Sequence, residues 1–350
     1  MKAFEPLVAP VDPADALTRI AWLLERDRES TYRVEAFRTA ARVVSGLAAA
    51  DIAEKAAAGA LTRIDGIGPT TATVIAEAVA GQVPDYLDRL QHTVSPAAAV
   101  DDDASALIRA VVGDLHAHTD WSDGGAPIGE MAAAAVASGH RWLTITDHSP
   151  RLTVANGLSP ERLDRQVAQI DEWNSGGDGD FRLLRGIEVD ILDGGALDQT
   201  DEMLARLDIV TASVHSKLRM EHDPMTARMV AAVSGPRVHV LGHCTGRRVV
   251  TGRGHRPPSQ FDARAVFEAC AANDVAVEIN SRPERVDPPD DLIELARDIG
   301  CLFAIDSDAH APGQLEFKAL GAQRAVEHAI DPDRIVTTWP LDRLLAWSDR

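Results

Sequence analysis

The stretch GDLHAHTDWSDG, residues 113–124, sets His116, His118, Asp114, Asp120 and Asp123 close together, directly after the apolar run ALIRAVV. Imidazole nitrogens and carboxylate oxygens are the donors that divalent transition ions take. The same residue types recur at intervals. His148 follows LTITD, Glu188 follows LLRGI, His215 follows IVTASV, His243 follows VHVLG, and Asp308 and His310 follow LFAIDS. A single such histidine is ordinarily a hydrogen-bonded core or surface imidazole. Histidines and carboxylates that close one inferred strand after another point instead to a polynuclear metal centre fed by several loops, with Asp123 folding back from the loop of His116 and His118. Ions held there lower the pKa of water and stabilise charge on a phosphoryl group, so no serine or cysteine nucleophile is required. Glu188 is the natural bridge between two ions, because a carboxylate has two donor oxygens. Alternation puts Asp306 on the side of Asp308 and turns Asp147 away from His148.

Those residues need a scaffold. From about residue 107 onward, short β-branched runs such as RWLTITDH, DIVTASVH, RVHVLGH, VAVEIN and CLFAIDSDAH alternate with amphipathic helical stretches. That rhythm predicts parallel βα units closing into a barrel, whose active site lies at the C-terminal ends of the strands. Residues 1–91 read differently. DPADALTRIAWLLERD, YRVEAFRTAARVVSGL, DIAEKAAAGALTRI and PTTATVIAEAVAG carry apolar residues at helical spacing and predict a small all-α module. Between them HTVSPAAAVDDDASA marks a linker, placed at 92–110, which leaves 111–350 for the barrel.

The chain has 350 residues, 45% of them hydrophobic, and a formal net charge of −19. Its composition suits a globular protein with a substantial core. The charge argues against non-specific coating of nucleic acid, while leaving room for a local basic groove. With no long apolar run and no basic, apolar leader, neither a membrane partner nor a secretory signal is expected, and a cytoplasmic location is. Cys244, Cys270 and Cys301 are too few and too scattered for a disulfide frame.

Taken together, GDLHAHTDWSDG, TITDHS, VANGLSPERL, GIEVDIL, SVHSKL, LGHCTGR, VEIN and DSDAH resemble the polymerase-and-histidinol-phosphatase (PHP) family, most closely the PHP domain of bacterial family X DNA polymerases. The resemblance implies a distorted (β/α)7 TIM-like barrel. It also implies three divalent metal ions, Mn, Zn or Fe, on His116, His118, Asp123, His148, Glu188, His215, His243, Asp308 and His310. Cys244 stands where the family usually has proline, and a thiol there raises the prospect of oxidant sensitivity. NSRPERVD departs from the usual wording, which draws Arg282 into substrate contact. The segment TGRRVVTGRGHRPP supplies Arg247, Arg248, Arg253 and Arg256 just after His243, read either as a solvated loop or as a clamp on substrate phosphates, with Lys217 in a similar role.

The helical module contains IDGIGPTTATVIAEAV, in which a Gly-x-Gly turn enters a helix. Gly66, Ile67, Gly68, Thr70 and Thr71 form either a packing corner or a site where backbone amides approach a DNA phosphate. In context it resembles a helix-hairpin-helix, and residues 15–91 resemble the small domain of family X polymerases. Residues 92–110 alone separate the two modules, too short a stretch for a polymerase domain. Thr70 and Val74 stand where lysines would serve a lyase reaction. The expectation is a metal-dependent phosphoesterase of DNA, acting on single strands, 3′ ends or damaged duplex, as exonuclease, 3′-end cleaner or abasic endonuclease. A small-molecule phosphatase such as histidinol phosphatase and a non-catalytic DNA-binding protein are the competing readings.

Overall fold

The computed structural model describes residues 7–93, 102–176, 179–250 and 254–349. The chain divides into two compact units at residue 99. The first is all helical, with helices Pro13–Arg26, Thr31–Ser45, Ala49–Ala57, Pro69–Val79 and Asp85–Thr93. Leu17, Ile20 and Leu24, spaced one helical turn apart, pack with Phe37, Val44, Ile75 and Leu87 as its core. Asp12 starts the first helix by accepting from the amides of Ala14 and Asp15. The run DIAEKAAAGALTRI is not one continuous helix. It stops at Ala57, where Gly59 turns left-handed at φ 62° and the Ala60 amide closes onto Lys55, and only a short 3-10 turn, Leu61–Arg63, follows.

The second unit opens with a helix, Asp102–Ala110, inside the stretch 92–110 expected to be linker. The acidic triplet that looked like solvated linker supplies Asp102 and Asp103 to the first turn of this helix, where carboxylates favour the helix dipole, and Ala104 and Leu107 are buried.

Seven parallel strands follow in sequential order: β1 (Gly113–Asp114), β2 (Trp142–Ile145), β3 (Arg182–Asp190), β4 (Ile209–Ser213), β5 (Val240–Leu241), β6 (Ala276–Asn280) and β7 (Leu302–Asp306). Helices Ile128–Ala137, Pro160–Gly176, Asp201–Leu204, His222–Val233, Ala263–Ala272 and Asp290–Ile299 fill the crossovers, and Lys318–Glu327 follows β7. Beyond the strand ends, Ala117 bridges Ala309 in parallel, and the His118 amide donates to the Ala309 carbonyl at 2.8 Å. That pairing joins the first and last segments, so the sheet is a nearly closed, TIM-like barrel. No helix among the described residues is long and apolar enough to cross a membrane.

The period of two along each strand sorts the barrel interior into layers. One end is an apolar floor to which every strand or its extension contributes: Leu115, Trp142, Leu184, Ile209, Val240, Ala276 and Ala304, closed by Val336, Trp339 and Leu344. Two residues further along come small or polar groups, Thr144, Gly186, Thr211, Glu278 and Asp306. Two or four further come the candidate ligands His148, Glu188, His215 and Asp308. The opposite faces, including Ile187, Val189, Val210, Val277, Ile279 and Phe303, pack in the outer core. The site is therefore the polar lid of a packed barrel.

Gly113 has no room for a side chain, since a Cβ there would lie 2.0 Å from the buried Trp142 indole. Gly113→Ala is expected to lower stability by about 1–3 kcal/mol through overpacking of the floor, seen as a lower urea midpoint. Gly129→Ala, where a Cβ meets nothing within 4 Å, should show no such loss.

Candidate metal centre

Nine side chains from the C-terminal ends of the strands meet over the polar layer. Their donor atoms form four overlapping groups, His118–Asp123–His148–His310, His116–His118–Asp308, His116–Glu188–His243 and His148–Glu188–His215. Glu188 is the hub. Its Oε1 lies 2.8 Å from His243 Nε2 and 3.1 Å from His215 Nε2, and its Oε2 lies 2.8 Å from His148 Nδ1, 3.3 Å from His116 Nε2 and 3.6 Å from His118 Nε2. Asp123, from the loop after β1, lies 3.5 Å from both His148 Nε2 and His310 Nε2. Strand β3 runs past its neighbours, which is why a mid-strand residue such as Glu188 stands level with His148 and bridges to it.

The protonation pattern follows from this crowding. Burial alone would raise the Glu188 carboxyl, but His215, His116 and His148 hold it well below its usual range. Burial opposes ionisation of Asp308 too, and Arg285, Arg282 and His116 overcome it. Burial would lower His215, yet Glu188 and Asp190 raise it to about 9. His118, buried beside His310 and His148, is pushed well below its ordinary value.

The donors fit divalent ions on a further observation. His116 Nε2, His118 Nδ1 and Nε2, His148 Nδ1, His215 Nε2 and Glu188 Oε2 are buried and take no hydrogen bond among the described residues. A buried polar atom left in that state costs on the order of 1–3 kcal/mol. Cations taking one lone pair from each imidazole and from Glu188 Oε2 would remove that cost for the donor atoms together.

A ring of supporting groups fixes the donors. Glu278, in β6, accepts from His116 Nδ1 at 2.6 Å through Oε1, and its Oε2 accepts from the His243 amide. Asp190 accepts from the His215 amide at 3.0 Å. Asp306 takes the Leu115 amide at 2.7 Å, below the ligand layer. Asp147 faces away from the cluster and organises the loop after β1, accepting from the Thr119 amide and hydroxyl at 2.9 and 2.6 Å and from Gln166 at 2.5 Å.

Family models match both parts of the chain, a helix-hairpin-helix domain at residues 11–83 and a PHP domain at residues 114–282. The probable phosphatase YcdX of Escherichia coli is 30% identical over 240 residues, a match that takes in 65% of this chain and 90% of that protein. The chain belongs to the PHP family. As a PHP-domain phosphoesterase it is a metal-dependent hydrolase of phosphoric esters. The DNA polymerase/3′-5′ exonuclease PolX of Bacillus subtilis is 37% identical over 215 residues, which are 61% of this chain, and the match spans only 37% of that protein's length. Among solved structures, histidinol phosphate phosphatase from Lactococcus lactis, complexed with zinc, L-histidinol and phosphate, matches at 15% identity and a TM-score of 0.41, over 61% of this chain and 93% of that one.

The cationic residues of this PHP chain are placed less simply than its metal donors. Arg247 was expected to clamp substrate, but its guanidinium turns inward onto the carbonyls of Arg285 and Val286. Lys217 pairs with Asp193 instead of reaching the cluster. Arg256 donates to the Gly246 carbonyl, and Arg248 is exposed in a cavity between the loops after β4 and β5. Arg253 lies outside the described residues. Arg282 is a positioning group, its Nη1 2.7 Å from His310 Nδ1 and its Nε and Nη2 on Glu284. Cys244 is buried, and burial with Asp287 nearby pushes its thiol well above the usual range, which removes the thiolate needed for easy oxidation.

In the helical unit, Gly66 sits at φ 87° with Thr39 and Val43 against it. Ile67 and Thr71 are buried: Ile67 belongs to the core, and the Thr71 hydroxyl accepts from the Gly68 amide at 3.0 Å. These two residues hold the turn, and of the five Gly66, Gly68 and Thr70 present an exposed surface.

Sequence reasoning missed Glu278, Asp190 and Arg285. Arg285 Nε donates to Asp308 Oδ2 at 2.8 Å, and its terminal nitrogens take no partner among the described residues. The signal for Glu278 was available, because a carboxylate inside the strand VAVEIN alternates with Ala276 and Asn280 onto the interior face. Glu278→Gln should weaken metal affinity by roughly 10–100-fold, measured by chelator competition, while the near-ultraviolet circular dichroism of the folded protein stays as in the parent.

Proposed function

We propose that this phosphoesterase hydrolyses phosphate esters in DNA, at 3′ ends or damaged sites, with three divalent ions drawn from Mn, Zn and Fe on the nine clustered side chains. The observation that carries this reading is a helix-hairpin-helix domain in the same chain as the metal centre. A relative bearing the name 3′-5′ exonuclease supports it. Bound ions supply an activated water and stabilise charge on the phosphoryl oxygens.

The chain's own residues do the rest. Glu188 holds five imidazoles around one buried carboxylate and so fixes the spacing of the ion sites. Arg285 neutralises Asp308 and keeps terminal N–H groups for a nonbridging phosphate oxygen, the task first expected of Arg247. Arg282 sets the ring of His310. In the helical unit, the exposed turn at Gly66 and Gly68 ahead of helix Pro69–Val79 offers a helix N-terminus to a backbone phosphate, the sequence-independent mode of grip.

A small-molecule phosphomonoesterase, such as a histidinol phosphatase, is the second reading, favoured by the match to 90% of a probable phosphatase. Metal-loaded protein offered a 5′-labelled single strand, the same strand with a 3′-phosphate, and histidinol phosphate separates the two. Laddering or loss of the terminal phosphate supports the DNA reading, whereas turnover of histidinol phosphate alone sinks it. His118→Ala should abolish every activity by at least about 100-fold, since it removes a donor shared by two of the ion groups.

A Cβ at Gly68 meets nothing within 4 Å, and this residue is the N-cap of its helix. Gly68→Asp therefore keeps or improves the cap while setting a carboxylate where a phosphate would rest. The expected outcome is an unchanged thermal midpoint with several-fold weaker binding of DNA in a fluorescence-anisotropy titration. Equal binding would show that the hairpin packs and does not grip.

A further inference from the structure

A cavity of 1020 Å³ opens between the loops that follow β4 and β5, the loops that also carry His215 and His243. One wall carries Lys217, Leu218 and Arg219, beginning two residues past His215, and the other carries Arg248, five residues past His243, with His255 and Arg256 further along the same loop. The walls are tied together. Ser259 donates its hydroxyl to the Leu218 carbonyl at 2.9 Å and its amide to the Thr245 carbonyl at 2.8 Å, and Arg248 and Arg256 exchange backbone hydrogen bonds at 2.9 and 3.0 Å. The Leu218 side chain lies so near Gly246 that a Cβ there would stand 2.7 Å from it. The basin is thus a built feature on the reactive face of the barrel.

Its cations are not equally engaged. Lys217 is paired with Asp193, and Arg256 is held by the Gly246 carbonyl. The guanidinium groups of Arg219 and Arg248 are exposed and have no partner among the described residues. Glu221 is the acidic residue in the lining. In a chain of net charge −19, such a gathering of cations next to a phosphoesterase site focuses anions toward that face.

We propose that this cavity is a second phosphate subsite, in which Arg219 and Arg248 hold a non-scissile phosphate of a nucleic-acid strand whose scissile ester lies at the metal centre. This rests on the DNA reading above. It makes the loops after β4 and β5 the source of preference for a strand over a simple monoester. Arg247 and Arg282 are excluded from the role because terminal nitrogens of their guanidinium groups already bind protein acceptors.

The test uses the full metal-loaded chain and its Arg219→Gln/Arg248→Gln variant, whose replaced side chains are exposed. KM and kcat are measured on a 3′-phosphorylated oligonucleotide and on p-nitrophenyl phosphate, which has one phosphate, across a salt series. The expected result is a rise in oligonucleotide KM of roughly tenfold or more, from losing charge-assisted contacts, with little change in kcat. The slope of log KM against log salt should fall by about 0.7, one single-strand phosphate contact, and kcat/KM on p-nitrophenyl phosphate should fall at least tenfold less than on the oligonucleotide. Arg219→Lys/Arg248→Lys should recover the salt slope. An oligonucleotide KM and slope equal to the parent's would overturn the subsite alone, as would matching losses on both substrates. A parent enzyme that leaves oligonucleotides intact would overturn the subsite and the DNA reading together.

Discussion

A single carboxylate buried among five imidazoles is the constraint on which this molecule is built. Glu188 is 1% exposed and lies within 3.6 Å of rings from the loops after β1, β2, β4 and β5. A buried charge is tolerated only where it is paired and coordinated, so these loops must all arrive at one point. The lengthened β3 brings the carboxylate to that height, and Glu278, Asp190 and Arg285 hold its neighbours from behind. Deep burial also removes competing water, which strengthens every interaction inside.

The layered interior explains how a barrel can carry so much polarity at one end. Trp142, Leu184, Ile209 and their counterparts seal the floor. Above them Thr144, Gly186 and Thr211 are small enough to leave headroom, and a Cβ at Gly186 would strike Thr144 and Thr146. His148, Glu188, His215 and Asp308 occupy the top because each lies four or six residues beyond a floor residue of its own strand. The stability of the fold and the chemistry of the site are therefore written on the same strands at different heights.

In the proposed reading, the helical unit and the basic cavity bear on the choice of substrate more than on the reaction. The acidic balance of the chain makes the local placement of arginines informative, because most of them are absorbed by backbone carbonyls or acidic partners. Arg285 at the cluster and Arg219 and Arg248 in the cavity keep donor capacity. A reaction centre and a recognition surface can thus be told apart by which guanidinium groups are already spoken for.

The barrel, the helical module ahead of it and the nine candidate metal donors were legible in the sequence alone, because strand ends and hydrophobic periods are local properties and all of these donors but Asp123 sit just past an apolar run. It could not separate helix Asp102–Ala110 from a linker, since an acidic triplet suits either a solvated segment or a helix start. Nor could it divide the arginines: Arg247, Arg248 and Arg256 share one loop and one chemistry, and only the fold decides that Arg247 meets the carbonyls of residues 285 and 286. Glu278, Asp190 and Arg285 likewise gained their roles from the tertiary structure. A residue's partner across the barrel is distant in sequence, and the hydrogen bond that defines its role exists only once both strands are in register.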